Sequence, residues 1–201
     1  DLAILLGGAP VPAALVERAL AAGWPVAPTY GLTETASGVT ALSPGEWAAH
    51  PGSAGRPLPG VELRIEAPDA DGVGEIVVRT PARFEGYLAD EAATAAALAP
   101  DGWLRTGDLG GLDPEGYLTV IDRRTDLIVS GGENVAPAEV EAVLLEHPAV
   151  ADAGVVGRPD PDWGTVPVAA IVHRADAPDP GDDALAAFAR QRLAKIGRAH
   201  V

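Results

Sequence analysis

The first thirty residues carry two short apolar runs separated by one helical pattern. Leu2 to Leu6 is typical of a buried strand and ends at a pair of glycines. Val11 to Ala22 has apolar positions at helical spacing, with Gly23 placed as a C-terminal stop. Val26 to Thr29 is the next strand-like run. This order predicts a β-α-β unit of a mostly parallel sheet, in which ligands bind beyond the carboxyl ends of the strands.

The pattern changes between Pro57 and Ile121, where short alternating segments are separated by Gly, Pro and Asp turns. Such spacing predicts a small antiparallel or barrel-like β unit. Asp90 is placed to cap an alanine-rich helix from Glu91 to Leu98. The predicted strands lie within 61–67 (VELRIEA), 74–80 (GEIVVRT) and 116–122 (GYLTVID).

A third pattern begins after Asp122, where short apolar runs alternate with helical periodicity. It predicts a small α+β lobe. Pro137 suits the first turn of its first helix, because proline fixes a helical φ and needs no backbone donor there. The predicted elements are strands at Leu127–Val129, Ala153–Val156 and Val166–His173, and helices at Pro137–Glu146 and Asp183–Leu193.

Composition excludes several classes of function. With 47% hydrophobic residues the chain can bury a core, and neither a membrane-spanning run nor a signal peptide is recognisable, so we expect a cytoplasmic location. The chain has no cysteine, which excludes disulfides, a thiolate nucleophile and cysteine-bound zinc, and its four histidines lack metal-ligand spacing. A net charge of -15 argues against nucleic acid as a partner.

Three motifs follow one another along the chain: YGLTE at 30–34, RTGD at 105–108 and DRRTDLIVSGGENVAPAEVE at 122–141. Taken singly, each is also explained by a glycine-containing turn or a charged linker. Their order resembles the second half of the adenylate-forming enzymes, which activate a carboxylic acid with ATP and pass the acyl group to a thiol. The resemblance implies that residues 1–121 end a large AMP-binding domain, with an α/β segment at 1–56 and a β subdomain at 57–121. It also implies a hinge at 122–126 and a small C-terminal lobe at 127–194.

The resemblance assigns specific roles to residues of this chain. Thr33, Glu34 and Arg123 would be catalytic, with the Thr33 hydroxyl on the α-phosphate and Glu34 holding a Mg²⁺ ion. Arg123 would contact the ribose and phosphate region, while Asp108 would accept both ribose hydroxyls. The remaining nucleotide contacts would be the Tyr30 ring packed on adenine, the side-chain-poor loop Gly8, Ala9 and Pro10 beside it, and Gly31.

The same resemblance assigns roles near the small lobe. Thr125 would be the hinge position about which that lobe rotates between two half-reactions. Many members have Asp or Lys there, so Thr is a departure. The loop containing Gly131, Gly132 and Glu133 would line the channel for the pantetheine arm of coenzyme A.

Within the superfamily the chain resembles most closely the o-succinylbenzoate-CoA ligases of menaquinone synthesis. The narrower pointers are TETAS at 33–37, WGTVP at 163–167 and the hydroxyl side chain at the hinge. Two alternatives stay open: an aryl- or fatty-acyl-CoA ligase, and a non-catalytic fragment that binds adenylate.

Two expectations concern the ends of the chain. The family's Gly- and Ser/Thr-rich phosphate loop and its C-terminal catalytic lysine have no counterpart here, so the resemblance implies that these 201 residues alone would be inactive. The segment KIGRAHV at 195–201 begins at the only lysine, and its reverse translation resembles a short-read sequencing adapter. We expect that segment to be non-native.

Overall fold

The computed structural model describes residues 2–9, 11–123, 127–131 and 133–193. The chain divides into two units, Asp1–Arg124 and Thr125–Val201. Each combines helices with β-sheet, so the mixed α/β class predicted from the sequence is confirmed. Among the described residues, no helix is long and apolar enough to cross a membrane.

The first sheet of unit 1 begins with the predicted β-α-β unit. Strands β1 (Ile4–Leu6) and β2 (Val26–Tyr30) pair in parallel, joined by helix α1 (Ala13–Ala21), which buries Val16 against the sheet. Two very short strands complete the sheet: β3 (Thr40–Ala41) and β4 (Arg56–Pro57).

The expectation of a mostly parallel sheet is wrong for these four strands. Both β2–β3 and β3–β4 are antiparallel, in the order β1-β2-β3-β4. The reason is a tight reversal after β2, where a short 3₁₀ helix at Thr33–Thr35 is followed by Ala36 and Ser37 with φ of 50° and 98°. Left-handed backbone at two successive residues turns the chain back along the strand it has just left.

The second sheet of unit 1 is an antiparallel meander of four strands: β5 (Glu62–Glu66), β6 (Gly74–Arg79), β7 (Leu104–Leu112) and β8 (Leu118–Arg123). Helix α2 (Glu91–Ala97) lies between β6 and β7 in the chain. The Asp90 carboxylate accepts a 2.8 Å hydrogen bond from the Ala93 N–H, which confirms the predicted N-cap.

Strand β7 was not predicted, because Gly and Asp have low β-propensity and this strand contains three glycines and an aspartate. Its pairing with β8 is also interrupted by a register shift between Leu109 and Gly110. The core of the meander includes Ile76, Val78, Leu104 and Leu118 and extends to Tyr30 and Val39, next to the first sheet. The end of β2 is therefore packed directly against the meander.

An aromatic and charged cluster fastens the segment before β4 to the turn between β7 and β8. The His50 ring stacks on Tyr117 with centroids 3.5 Å apart, and its Nδ1 lies 3.3 Å from Asp113 Oδ2. The Tyr117 hydroxyl donates to Glu46 Oε1 at 3.0 Å. Burial, followed by that hydrogen bond, raises the pKa of Tyr117 above its usual range.

Unit 2 is one antiparallel sheet covered by two helices. Its strands lie in the order β10-β9-β12-β11, and the predicted helices are confirmed to within a residue at each end. The elements are β9 (Ile128–Ser130), β10 (Glu133–Val135), α3 (Pro137–Leu145), β11 (Val150–Asp160), β12 (Gly164–His173) and α4 (Asp182–Arg192). The core includes Ile128, Val140, Leu144, Val150, Leu185 and Ala189.

Candidate active site

The candidate nucleotide site lies at the carboxyl ends of β1 and β2. Because these strands are parallel neighbours with Leu6 beside Pro28, the turn after each strand emerges at the same edge. An added Cβ at Gly7 would lie 2.4 Å from Thr29 Oγ1, so the first turn packs closely on β2. Gly8 has φ +89° with open space around its Cα, and Ala9 is exposed. Pro10 lies outside the described residues.

The YGLTE turn is held rigidly by its own backbone. An added Cβ at Gly31 would lie 1.4 Å from the carbonyl oxygen of Ser37, so only glycine fits there. Thr35 is 1% exposed, and its hydroxyl accepts from the Leu32 N–H at 3.2 Å and donates to the Leu32 carbonyl at 3.1 Å. Glycine at 31 is thus explained by packing. Thr35 was overlooked in the sequence, where a buried threonine cannot be told from an exposed one.

Replacing Gly31 by Ala is expected to destabilise the protein by about 3 kcal/mol or more, because a backbone carbonyl cannot yield to the new methyl group. Urea unfolding would measure the loss. The matched control is Gly111→Ala in the same unit, where the nearest backbone atom would lie 3.4 Å from the new Cβ, an ordinary contact distance. Equal stability of the two variants would contradict the tight turn.

Tyr30 and Asp108 are brought together although they are 78 residues apart in the chain. The Tyr30 hydroxyl donates to Asp108 Oδ2 at 2.7 Å, and the two residues are only 9% and 6% exposed. Asp108 lies within β7, so the alternative interpretation of its Gly-Asp sequence as a turn is wrong. Its N–H donates to Thr106 Oγ1 at 3.1 Å, and Gly107 has φ +75°, so the backbone as well as Tyr30 fixes the carboxylate.

Arg123 ends β8, and its backbone is paired directly with Asp108 across the β7–β8 ladder. The two positions that resemble ribose- and phosphate-contacting residues are therefore neighbours. The side chain of Arg123 lies outside what the structure describes.

Glu34 is half-buried on the 3₁₀ helix and is held by residues 84–87, which none of the sequence motifs includes. Its Oε1 accepts from the Tyr87 hydroxyl at 2.8 Å, and its backbone carbonyl accepts from the Phe84 N–H at 2.7 Å. Thr33, the preceding residue, is exposed. Nothing in the spacing of Glu34 and Tyr87 would have paired them before the fold was known.

The donor set around Glu34 fits one kind of metal site. The described part of the chain contains no group of three or more His, Cys, Asp or Glu able to hold a metal ion. Mg²⁺ rarely needs such a cage, because it keeps several waters and binds one or two carboxylates together with nucleotide phosphates. A single partly accessible carboxylate fits a magnesium-nucleotide complex and does not fit a structural zinc or calcium site.

In unit 2 the strands on the two sides of Gly132, β9 and β10, pair with each other in antiparallel fashion. Ser130 pairs with Glu133 across β9 and β10, and Gly131, which follows β9, has φ +60°. The Gly131 N–H donates to the Trp163 carbonyl at 2.9 Å, so the WGTVP stretch packs against the end of β9. Gly132 and Thr125 lie outside the described residues, as does the side chain of Glu133.

Two protein families and several characterised relatives match this chain. The AMP-binding enzyme family matches residues 2–88, and the AMP-binding enzyme C-terminal domain matches residues 139–200. A 2-succinylbenzoate–CoA ligase of Bacillus velezensis is 50% identical over 198 residues, which cover 96% of this chain and 39% of that protein.

Solved structures agree with the sequence comparison. The o-succinylbenzoate CoA synthetase of Bacillus subtilis in complex with the acyl-adenylate intermediate OSB-AMP superposes with a TM-score of 0.88 at 47% identity, over 97% of this chain and 40% of that one. The same enzyme with ATP and magnesium ion gives a TM-score of 0.87 at 46% identity, over 98% and 41%. The chain thus spans about 40% of the length of the relatives it matches.

Proposed function

This chain belongs to the AMP-binding enzyme family, and on that premise we propose that the whole protein carrying it is an ATP-dependent acid–CoA ligase. Its proposed substrates are 2-succinylbenzoate, ATP and coenzyme A, and its product is 2-succinylbenzoyl-CoA. The observation that carries the proposal is the 50% identity to a 2-succinylbenzoate–CoA ligase, which extends over 96% of this chain.

We also propose how the chain divides between domains. Residues 1–121 form the end of the large adenylation domain, in which the meander belongs to a barrel-like subdomain at 57–121. Residues 122–126 with Thr125 form the hinge, and 127–194 belong to the small C-terminal lobe. The division of the fold between Arg124 and Thr125 supports this assignment.

In the first half-reaction an oxygen of the acid attacks the α-phosphorus of ATP, and the bond to pyrophosphate breaks to leave acyl-adenylate. Asp108 would accept the ribose hydroxyls while Tyr30 holds its carboxylate in place and packs on the adenine. Thr33 and Arg123 would steady the phosphate chain. When bound at Glu34, Mg²⁺ would neutralise the charge that develops on the leaving pyrophosphate.

In the second half-reaction the thiol of coenzyme A attacks the acyl carbonyl and releases AMP. This sequence holds no cysteine, so it offers no thiol of its own for a covalent acyl intermediate. Gly131, Gly132 and Glu133 would line the path of the pantetheine arm, where the two glycines, which lack side chains, would leave room for a narrow, extended ligand.

The test is acid-dependent exchange of labelled pyrophosphate into ATP by the whole protein, followed by mass detection of the CoA thioester. We expect exchange with 2-succinylbenzoate at a rate on the order of 1 per second or more, with benzoate and decanoate as comparison acids. A preference for benzoate or decanoate would favour an aryl- or fatty-acyl-CoA ligase. Nucleotide binding without exchange for any acid would favour the non-catalytic alternative.

A further inference from the structure

One short segment, residues 84–87, donates hydrogen bonds to both the backbone carbonyl and the side-chain carboxylate of Glu34. The Phe84 N–H donates to its carbonyl oxygen at 2.7 Å, and the Tyr87 hydroxyl donates to its Oε1 at 2.8 Å. The rings of Phe84 and Tyr87 meet edge to face with centroids 4.8 Å apart. Among the described residues, none donates a hydrogen bond to the second carboxylate oxygen, Oε2.

The backbone of Tyr87 is in turn anchored on helix α2. Its N–H donates to Thr94 Oγ1 at 2.9 Å, and that hydroxyl donates to the Asp90 carbonyl at 2.7 Å. An added Cβ at Gly86 would lie 2.7 Å from Thr94 Cγ2, so glycine permits this close approach. The stretch GYLADEAAT thus forms a brace, which we define as Tyr87, Asp90 and Thr94, between α2 and Glu34.

We propose that Tyr87 is a positioning residue that orients the Glu34 carboxylate toward the metal of a magnesium-nucleotide complex. This inference rests on the proposed function. The hydroxyl holds Oε1, and Oε2 would then be the oxygen that binds the ion, which suits the one-oxygen coordination that octahedral Mg²⁺ favours. Without the brace, a flexible glutamate must lose its side-chain freedom when the ion binds, and that loss weakens binding.

Burial does not account for the arrangement. Tyr87 is 42% exposed and forms a hydrogen bond to a carboxylate that water would otherwise solvate. A tyrosine needed only to fill space would point its ring into the core and its hydroxyl to solvent. Here the hydroxyl is directed to the one acid that the YGLTE motif supplies.

The test is Tyr87→Phe in the whole protein, because phenylalanine keeps the ring against Phe84 and removes only the hydroxyl. Binding of Mn²⁺ as a magnesium substitute, in the presence of α,β-methylene-ATP, would be followed by electron paramagnetic resonance. Loss of one hydrogen bond predicts roughly three- to tenfold weaker Mn²⁺ affinity. The Mg²⁺ concentration that gives half-maximal pyrophosphate exchange should rise by the same factor, while AMP affinity without metal should not change. Unchanged or tighter Mn²⁺ binding overturns the proposal.

Two further variants separate positioning from general damage. Thr94→Val removes the anchor of the Tyr87 backbone at constant volume and should weaken Mn²⁺ binding in the same direction. Tyr117→Phe is the matched control, since Tyr117 also donates to a glutamate in the same unit, Glu46, but outside the candidate site. Its Mn²⁺ affinity should equal that of the wild type. If Tyr117→Phe lost as much Mn²⁺ affinity as Tyr87→Phe, the effect of Tyr87→Phe would be unspecific.

The wild type distinguishes this inference from the proposed function. Acid-dependent exchange that is present in the wild type and unaltered in Tyr87→Phe, with equal metal binding, refutes only the role of Tyr87. Absence of exchange with every acid refutes the ligase function, while the Mn²⁺ measurement still decides the role of Tyr87. A wild type that binds no Mn²⁺ with the nucleotide refutes both.

Discussion

Replacing Asp108 by Ala is expected to weaken AMP binding to the whole protein by about 100-fold or more. The carboxylate would accept two charge-assisted hydrogen bonds from the ribose, each worth about 1.5 to 3 kcal/mol. Each 1.4 kcal/mol corresponds to about tenfold in affinity. Titration calorimetry with AMP, which needs no metal, would measure the change.

Asp108 also accepts from Tyr30, so its structural and ligand-binding roles must be separated. Tyr30→Phe removes the hydroxyl and keeps the ring, and it should cost AMP affinity far less than Asp108→Ala. Asp71→Ala, at an exposed acid of the same unit, is the control for lost negative charge. If Asp108→Ala unfolded at a lower temperature but bound AMP as the wild type does, the carboxylate would be a structural partner of Tyr30 and not a ribose ligand.

Much of this fold could be predicted from local pattern. The β-α-β unit, the Asp90 cap and both helices of unit 2 follow from periodicity and capping, which are properties of neighbouring residues. Strands β7 and β10 could not be predicted, because their sequences LRTGDLGGL and ENV are rich in glycine and polar residues. Their partners across the sheet make them strands, and a single-sequence pattern does not contain those partners.

The candidate site could likewise be predicted only in part from the sequence. The motifs identified Tyr30, Glu34 and Asp108 as chemically suited residues, but not which groups hold them in place. The bonds from Tyr30 to Asp108 and from Tyr87 to Glu34 join positions 78 and 53 residues apart. Such pairs depend on how two sheets and a helix meet. Tyr87 lacked any local signal beyond its place after Gly86, so its contribution emerges only from the folded chain.

Replacing Glu34 by Gln is expected to lower the rate of acid-dependent pyrophosphate exchange by about 100- to 1,000-fold, because a charge that would bind Mg²⁺ contributes several kcal/mol to the transition state. Glutamine keeps a carbonyl oxygen that can accept the hydrogen bond from the Tyr87 hydroxyl. The substitution therefore removes the negative charge and leaves the side chain in the same position. AMP affinity, measured by calorimetry without metal, should stay within about twofold of the wild type, since a neutral acceptor suffices for the local hydrogen bond.

Glu34→Asp gives the complementary change, because it keeps the charge and shortens the side chain beyond easy reach of the Tyr87 hydroxyl. It should retain more exchange activity than Glu34→Gln and require more Mg²⁺ to reach half its maximum. The substitutions of Asp108 and Glu34 would then have different effects that identify the two roles. Asp108→Ala would lose AMP affinity, whereas Glu34→Gln would keep AMP affinity and lose the metal-dependent exchange activity. If Glu34→Gln lost AMP binding and exchange together while remaining folded, Glu34 would support the turn after β2 and would not be the metal ligand.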